Sequence, residues 1–455
     1  MRMTRFACSM PGVILGFLTV AMTAFAPAAC AADDARPTTA VKVEIVRAGD
    51  GYQLMRGGEP YHIKGAGREF GDIASFAAHG GNSIRTWTTR NDVETARQVL
   101  DEAHARGVTV ALCLPMASEH WGFDYDDPKA VAKQLMRFRG EVLQYRDHPA
   151  LLAWIIGNEL NYDYTNSKVY DAVNDISRMI HELDPNHPTT TTLAGLDAAV
   201  LEDVSTRASD LDFVSLQVYG QLFILPDFIR TTGYDRPFFV TEWGAIGWWE
   251  VGKTTWGAPI EATSTEKAET YLKGYREKLE PMQGQMIGSY VFLWGQKQER
   301  TPTWFGLFTE DGEETEAVDV MHYIWNDGWP DNRAPQVESM MVDGKSAHDN
   351  VTLTAGQAYK AMIDVIDHED DELTYRWELK PESVATQVGG AFEESIASLD
   401  GLLRSPGEPD KQPGPPTDAA AVLTAPSPGE YRLFAYAYDG NGHAAHANVP
   451  FLVVP

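Results

Sequence analysis

Between residues 60 and 325 the chain alternates eight short apolar runs with longer amphipathic stretches, and few architectures accept that alternation. The runs are "PYHIKGAG" (60–67), "NSIRTW" (82–87), "VTVALCL" (108–114), "LLAWIIG" (151–157), "PTTTTLA" (188–194), "DFVSLQVY" (212–219), "PFFVTEW" (237–243) and "MIGSYVFLW" (286–294). A run that is short and apolar on both faces reads as a parallel strand covered by helices on either side. Between the runs lie helix patterns. In 92–106, Asn91 is an N-cap candidate with Glu94 three residues on, and Val93, Ala96, Val99, Leu100 and Ala103 make one stripe. In 128–146, Asp127 caps, Pro128 occupies the first turn, and Val131, Leu135, Phe138 and Val142 share a face. In 167–183, Val169, Val173, Ile176, Ile180 and Leu183 repeat until "DPNHP" breaks the pattern; a helix at 265–279 carries Ala268, Leu272 and Tyr275. This alternation predicts an α/β fold, a (β/α)8 or TIM barrel over 41–329. The alternative is a doubly wound open sheet, which usually has fewer strands and often a glycine-rich first turn that is not found here.

After Trp329 the texture changes. "PDNRAPQ" (330–336) reads as a linker, and residues 337–455 are rich in β-formers, which predicts a C-terminal β-sandwich. "SPGEPDKQPGPP" (405–416) is a proline-rich loop. The stretch "DVIDHEDDELTYRWEL" resembles the PKD and cadherin-like modules, which implies an immunoglobulin-type sandwich. Asp367, Glu369, Asp370 and Asp371 are calcium candidates, but such a cluster is more often a solvated turn.

The net charge of −28 argues against a nucleic-acid partner. Arg2 and Arg5 precede "GVILGFLTVAMTAFA" and then "PAACAADD", the layout of an export signal over residues 1–32. Cleavage near Ala32 is the expectation. Lipidation at Cys30 is the alternative, although Pro27 stands where a lipoprotein signal usually has an aliphatic residue. The expected location is the bacterial periplasm or the medium. No second long apolar segment follows, so no transmembrane segment is expected in the mature chain. Cys113, inside "VTVALCL", reads as a small buried hydrophobe. No metal-ligand spacing or phosphate loop is present, so neither metal nor cofactor is expected, and the chain is expected to be a monomer.

In a barrel of this kind the reactive residues sit at the C-terminal ends of the strands. Those ends give Arg68 and Glu69, Arg85 and Trp87, Glu119, His120 and Trp121, Asn158 and Glu159, Gln217 and Tyr219, Glu242 and Trp243, and Trp294. Glu159 and Glu242 follow strongly apolar strands. Two carboxyl groups across a cleft are what glycoside cleavage needs, one to protonate the leaving oxygen and one to attack carbon or activate water. Trp87, Trp243 and Trp294 add flat faces on which sugar rings stack. Arg85 and Tyr219 are donors suited to an ionised Glu242. The competing reading, two unrelated acids paired with arginines, fits one glutamate better than both. The loop 244–265 carries Trp248, Trp249 and Trp256, which either wall the cleft or pack the loop onto the barrel. His120 and Trp121 stand in the same position on the opposite wall. Gln296, Lys297 and Trp304 are further candidates beside strand eight.

"GGNSIRTW", "WIIGNEL" and "FFVTEWG" resemble the strand-two, strand-four and strand-seven signatures of the clan A retaining glycoside hydrolases. The resemblance implies Glu159 as general acid/base, Asn158 as the ligand of the sugar 2-hydroxyl and Glu242 as nucleophile. It also implies that Arg85 and Tyr219 orient Glu242 and that Trp294 floors the subsite where the bond breaks. "IKGAG" is similar to the strand-one motif of the β-galactosidase and β-glucuronidase family. The absence of preceding sandwich domains makes those exo-specificities less expected. A barrel followed by an immunoglobulin-like domain resembles bacterial endo-β-1,3-glucanases, which implies an oligo- or polysaccharide partner of β-glucan type. A β-glucan transglycosylase with the same glutamates, an exo-acting β-galactosidase or β-glucosidase, and a non-catalytic carbohydrate-binding barrel are the alternatives. The sandwich is expected to brace the barrel.

Overall fold

The computed structural model describes residues 38–386, 389–407 and 416–455. The expected export signal, Cys30 included, and most of the proline-rich loop lie outside them. An antiparallel ribbon comes first: β1 (Val43–Ala48), β2 (Gly51–Arg56) and the short β3 (Glu59–Pro60). Sequence patterning gave no element here. Val43 N donates to the Asn186 carbonyl at 2.7 Å and Arg56 Nη2 to that of Pro149 at 2.8 Å, both just before barrel strands begin. Val43 and Leu54 pack into the same cluster as Ala111, Cys113, Leu152, Phe213, Phe239 and Tyr290 from the strands. The ribbon therefore stoppers the N-terminal mouth and leaves the opposite mouth for chemistry.

The barrel strands are β4 (Gly65–Gly67), β5 (Ser83–Arg85), β6 (Thr109–Leu114), β7 (Leu151–Ile156), β8 (Thr189–Thr190), β9 (Thr192–Ala194), β10 (Val214–Gln217), β11 (Phe238–Glu242) and β12 (Met286–Val291). All neighbours run parallel, in the order β8-β7-β6-β5-β4-β12-β11-β10-β9. β8 and β9 are two halves of the fifth strand, so this split strand closes the ring. Its run of threonines explains the break. Thr191 Oγ1 donates to the Ile156 carbonyl at 2.7 Å, replacing ladder bonding with a side-chain bond to the end of β7. Every residue of β6, β7 and β12 is buried, as strands covered on both faces require.

Among the described residues eight helices surround the ring: α1 (Ile73–Ala78), α2 (Ala96–Arg106), α3 (Pro128–Tyr145), α4 (Lys168–Leu183), α5 (Ala198–Arg207), α6 (Leu225–Thr232), α7 (Ser264–Gly274) and α8 (Glu316–Asn326). The predicted start of α2 is corrected. Thr95, not Asn91, is the N-cap, with Gln98 completing a capping box. Asn91 Oδ1 instead accepts from Val93 N and Glu94 N in a preceding turn, leaving Val93 exposed. Asp127 caps α3 as expected, with Pro128 in the first turn.

The C-terminal region is two packed four-stranded sheets. One runs β13 (Gln336–Val342), β15 (Ala358–Ile366), β18 (Ala420–Thr424), β17 (Leu403–Arg404); the other runs β14 (Thr352–Thr354), β20 (Ala444–Val454), β19 (Gly429–Tyr438), β16 (Thr374–Pro381). Trp377, Leu379, Leu433, Val449 and Phe451 lie in the core between them. β15 alternates buried and exposed residues, but β20 is buried almost throughout. Its second face meets the barrel, where His446 N donates to Ser264 Oγ at the start of α7. A buried polar cluster completes this junction: Lys267 Nζ on Glu261 Oε1 at 2.5 Å, and Asn448 Nδ2 on Glu261 Oε2 at 2.7 Å. Residues Pro37–Pro455 accordingly form one compact unit. In the acidic cluster, Asp367 Oδ1 accepts from Glu369 N and Asp371 N, and Asp371 Oδ2 from Asn441. That arrangement is a hydrogen-bonded turn. No helix among the described residues is long and apolar enough to cross a membrane.

Candidate active site

Two barrel strands, β5 and β10, and the residues just after them deliver four donors to one carboxylate. Glu242 is the last residue of β11 and is almost fully buried. Its Oε1 accepts from Arg85 Nη1 at 2.8 Å, Trp87 Nε1 at 2.8 Å and Gln217 Nε2 at 2.9 Å; its Oε2 accepts from Tyr219 OH at 2.8 Å. Arg85 is 0% exposed and ends β5; Gln217 ends β10. An ionised carboxylate only accepts, and all four contacts donate to it. Burial and the charge of Glu242 hold the Tyr219 phenol well above its usual range, so it stays a donor. Asn158 Oδ1 accepts from Arg85 Nη2 at 2.8 Å, Gln217 Nε2 at 2.9 Å and Thr192 Oγ1 at 3.3 Å. Among the described residues its Nδ2 has no hydrogen-bond partner, and Asn158 lines the cleft.

Glu159 has a different setting. β7 ends at Ile156, and the chain reverses through Gly157 (φ +74°) and Glu159 (φ +49°). A Cβ on Gly157 would meet the Leu160 side chain at 2.6 Å, so glycine is required for space as well as for φ. Glu159 itself occupies the left-handed region, a strained position that the Thr192 hydroxyl secures by accepting from Glu159 N at 3.0 Å. Among the described residues none donates to the Glu159 carboxylate. Burial first and the charge of Glu242 second raise its pKa to about 8, against the opposing pull of Arg85.

Both carboxyl groups line one cleft of ≈ 640 Å³ at the C-terminal mouth. Of the predicted residues, Glu69, Trp87, Asn158, Gln217, Tyr219, Trp248, Trp249 and Lys297 line it with them, and Arg85 bonds Glu242. Trp87 does more than offer a face, since its indole nitrogen bonds Glu242. Trp248 Nε1 donates to Glu299 Oε1 at 3.0 Å under a cation–π contact with Arg300. Other predictions need correction. Trp243 is 1% exposed and packs on Tyr271 and Tyr275, because consecutive strand residues face opposite ways and Glu242 has the inward place. Trp294 is 0% exposed and packs on Phe76, Phe308 and Trp325 in the helix layer, so it does not floor the cleft; Phe292 lines it instead. Gln296 Nε2 donates to the Pro302 carbonyl at 2.7 Å and holds its loop, and Trp304 is buried with its nitrogen on the Ile246 carbonyl. His120 and Trp121 stand outside the lining, next to Tyr162, which belongs to it.

Sequence reading names Gln217 only as a strand-end residue without a role, and it does not name Tyr162 or Phe292. Gln217 was visible at a strand end, but a neutral amide carries little signal. Gly389 and Gly390, from the long connection between β16 and β17, also line the cleft, and Lys297 Nζ donates to the Gly390 carbonyl at 3.1 Å. The C-terminal region therefore contributes to the cleft wall as well as bracing the barrel.

Comparison with known proteins follows the same division. No curated protein matches the chain. Solved structures similar to it include Bacteroides uniformis β-glucuronidase 2 (15% identity, 91% of this chain and 48% of that chain, TM-score 0.49). Bifidobacterium dentium β-glucuronidase matches at 19% identity over 64% of this chain and 50% of that chain, with a TM-score of 0.49. A glycoside hydrolase family 5 mannosidase from Rhizomucor miehei matches at 14% identity over 62% and 96%, with a TM-score of 0.43. The chain thus spans about half the length of the β-glucuronidases it matches. The TIM barrel domain of the glycosyl hydrolases family 2 matches residues 72–303, from α1 to just beyond β12. That match takes in both glutamates and more than half of the sequence, and the chain belongs to the glycosyl hydrolases of family 2.

Proposed function

We propose that the protein is a retaining β-glycosidase acting on a β-glucan, with a β-1,3 linkage as the specific reading. One observation carries the catalytic part: a carboxylate held by four donors shares a cleft with a carboxyl group whose pKa is raised to about 8. A carboxyl group raised in this way, beside a carboxylate that meets only donors, divides acid and nucleophile between the two. Glu242 attacks the anomeric carbon while the Glu159 proton passes to the glycosidic oxygen, and the bond between carbon and that oxygen breaks. Glu159, now ionised, takes a proton from water as the water oxygen displaces Glu242 and regenerates it. Two displacements retain configuration. Asn158, its oxygen already bonded three times, offers Nδ2 to the sugar.

A neutral sugar fits this cleft better than a uronic acid. Lys297 is the one lysine or arginine among the described residues lining it, and its Nζ already pairs with Glu299 Oε2 at 2.9 Å. Incubating the protein and its Glu159→Gln and Glu242→Gln variants with β-glucans, galactans and aryl glycosides, uronides included, tests the reading. Products from a neutral substrate, lost in both variants, are expected. Products longer than the starting sugar would identify a transglycosylase using the same glutamates. Cleavage that survives in Glu242→Gln would remove the nucleophile assignment.

A further inference from the structure

A rigid aromatic track leaves the cleft on the Glu159 side. It begins at Tyr162, which lines the cleft and whose N donates to the Glu159 carbonyl at 2.9 Å, so it rides on the same turn as the acid. The His120 ring stands 5.0 Å from Tyr162 at 83°, and Trp121 lies 4.5 Å beyond at 77°. Trp121 is 69% exposed. An isolated exposed tryptophan needs no explanation, but this one is held on a built platform. The Glu119 carboxylate accepts from Thr165 N at 2.7 Å, Thr165 Oγ1 at 2.5 Å and Asn166 N at 3.0 Å, which ties the loop after β6 to the loop after β7. His120 Nδ1 lies 3.3 Å from Asp163 Oδ2, a second tie between the same loops. Gly122 N and Phe123 N close the turn onto Glu119 and Ser118. The indole is thus held in place while its surface stays in water.

Direction follows from chemistry. A general acid delivers its proton to the leaving oxygen, so what lies on its side of the cleft meets the leaving group. We infer that Tyr162, His120 and Trp121 form a leaving-group subsite that takes sugar units of a β-linked oligo- or polysaccharide, their C–H faces against the rings. The inference rests on the assignment of Glu159 as acid. It makes the natural substrate a chain extending past the bond that breaks, rather than a glycoside of a small alcohol. An aromatic surface on a loop already tied in place binds with less ordering cost than one on an untied loop.

Trp121→Ala and Trp121→Phe test it, with KM and kcat measured for an aryl monoglycoside and for oligosaccharides of three to six units. The exposure of Trp121 lets both variants fold, which a thermal melt checks. Trp121→Ala is expected to raise KM for the oligosaccharides about tenfold more than KM for the aryl glycoside, with Trp121→Phe restoring most of the difference. A tenfold factor corresponds to about 1.4 kcal/mol. Equal changes for both substrates, or none for either, would overturn the subsite while leaving the catalytic reading intact. Failure of the unmodified protein to turn over any glycoside would overturn both.

Discussion

The two sides of the cleft treat their carboxyl groups in opposite ways. On the β11 side, Glu242 is almost fully buried, yet four donors from β5, β10 and their following loops meet its oxygens. On the β7 side, Glu159 is partly exposed, yet no described residue donates to it and its charge must face that of Glu242. The difference lies in preorganised hydrogen bonding: protein donors solvate the Glu242 carboxylate, and among the described residues none is in place for Glu159.

The largest consequence is kinetic. Replacing either glutamate by glutamine should lower kcat/KM on unactivated glycosides by 10³-fold or more. The two losses should separate when the leaving group needs no proton. With a dinitrophenyl glycoside, Glu159→Gln is expected to recover most of its first-step rate, seen as a burst of phenolate, whereas Glu242→Gln remains inactive. A burst from the Glu242 variant would reverse the roles of the two sides.

The next effect is on pH dependence. Glu159 acts as an acid only while protonated, so kcat/KM on an unactivated substrate should fall as pH rises through about 8, tenfold per unit beyond it. On the dinitrophenyl substrate, whose leaving group needs no proton, that limb should be absent from the parent and from Glu159→Gln alike. A limb that persists would belong to another group.

Much of this contrast was legible in sequence. Glu159, Glu242, Arg85, Asn158 and Tyr219 were found by asking what ends each strand, because barrel geometry brings strand ends together whatever their separation along the chain. The same logic misdirected Trp243 and Trp294. A strand end has two faces, and adjacent residues take opposite ones; beside an inward Glu242, an outward Trp243 follows. Period-two counting from each glutamate would have excluded that tryptophan. Gly389 and Gly390 were out of reach, since they arrive from another region's loop and no local pattern records the meeting. The β1–β3 ribbon was missed for a related reason: its short strands carry little periodicity and are fixed by carbonyls at the bottom of the barrel.

The smallest effect carries the comparison into stability. Glu159 has a folded pKa raised from its ordinary 4.5 to about 8. Its contribution is fully present below 4.5 and is lost as pH rises through about 8, where the folded state must finally carry the charge. Glutamine carries none, so Glu159→Gln should match or exceed the parent in denaturation midpoint at pH 5 and exceed it by more at pH 8. Glu242→Gln should do the opposite at both pH values, by about 2 kcal/mol or more, because Arg85 is fully buried and would lose its carboxylate. The same variant removes a charge that pushes Glu159 upward, so a carboxyl followed by NMR at position 159 should titrate lower in Glu242→Gln than in the parent. An unchanged titration would mean that desolvation alone sets Glu159, and the two sides of the cleft would then be independent rather than tuned against each other.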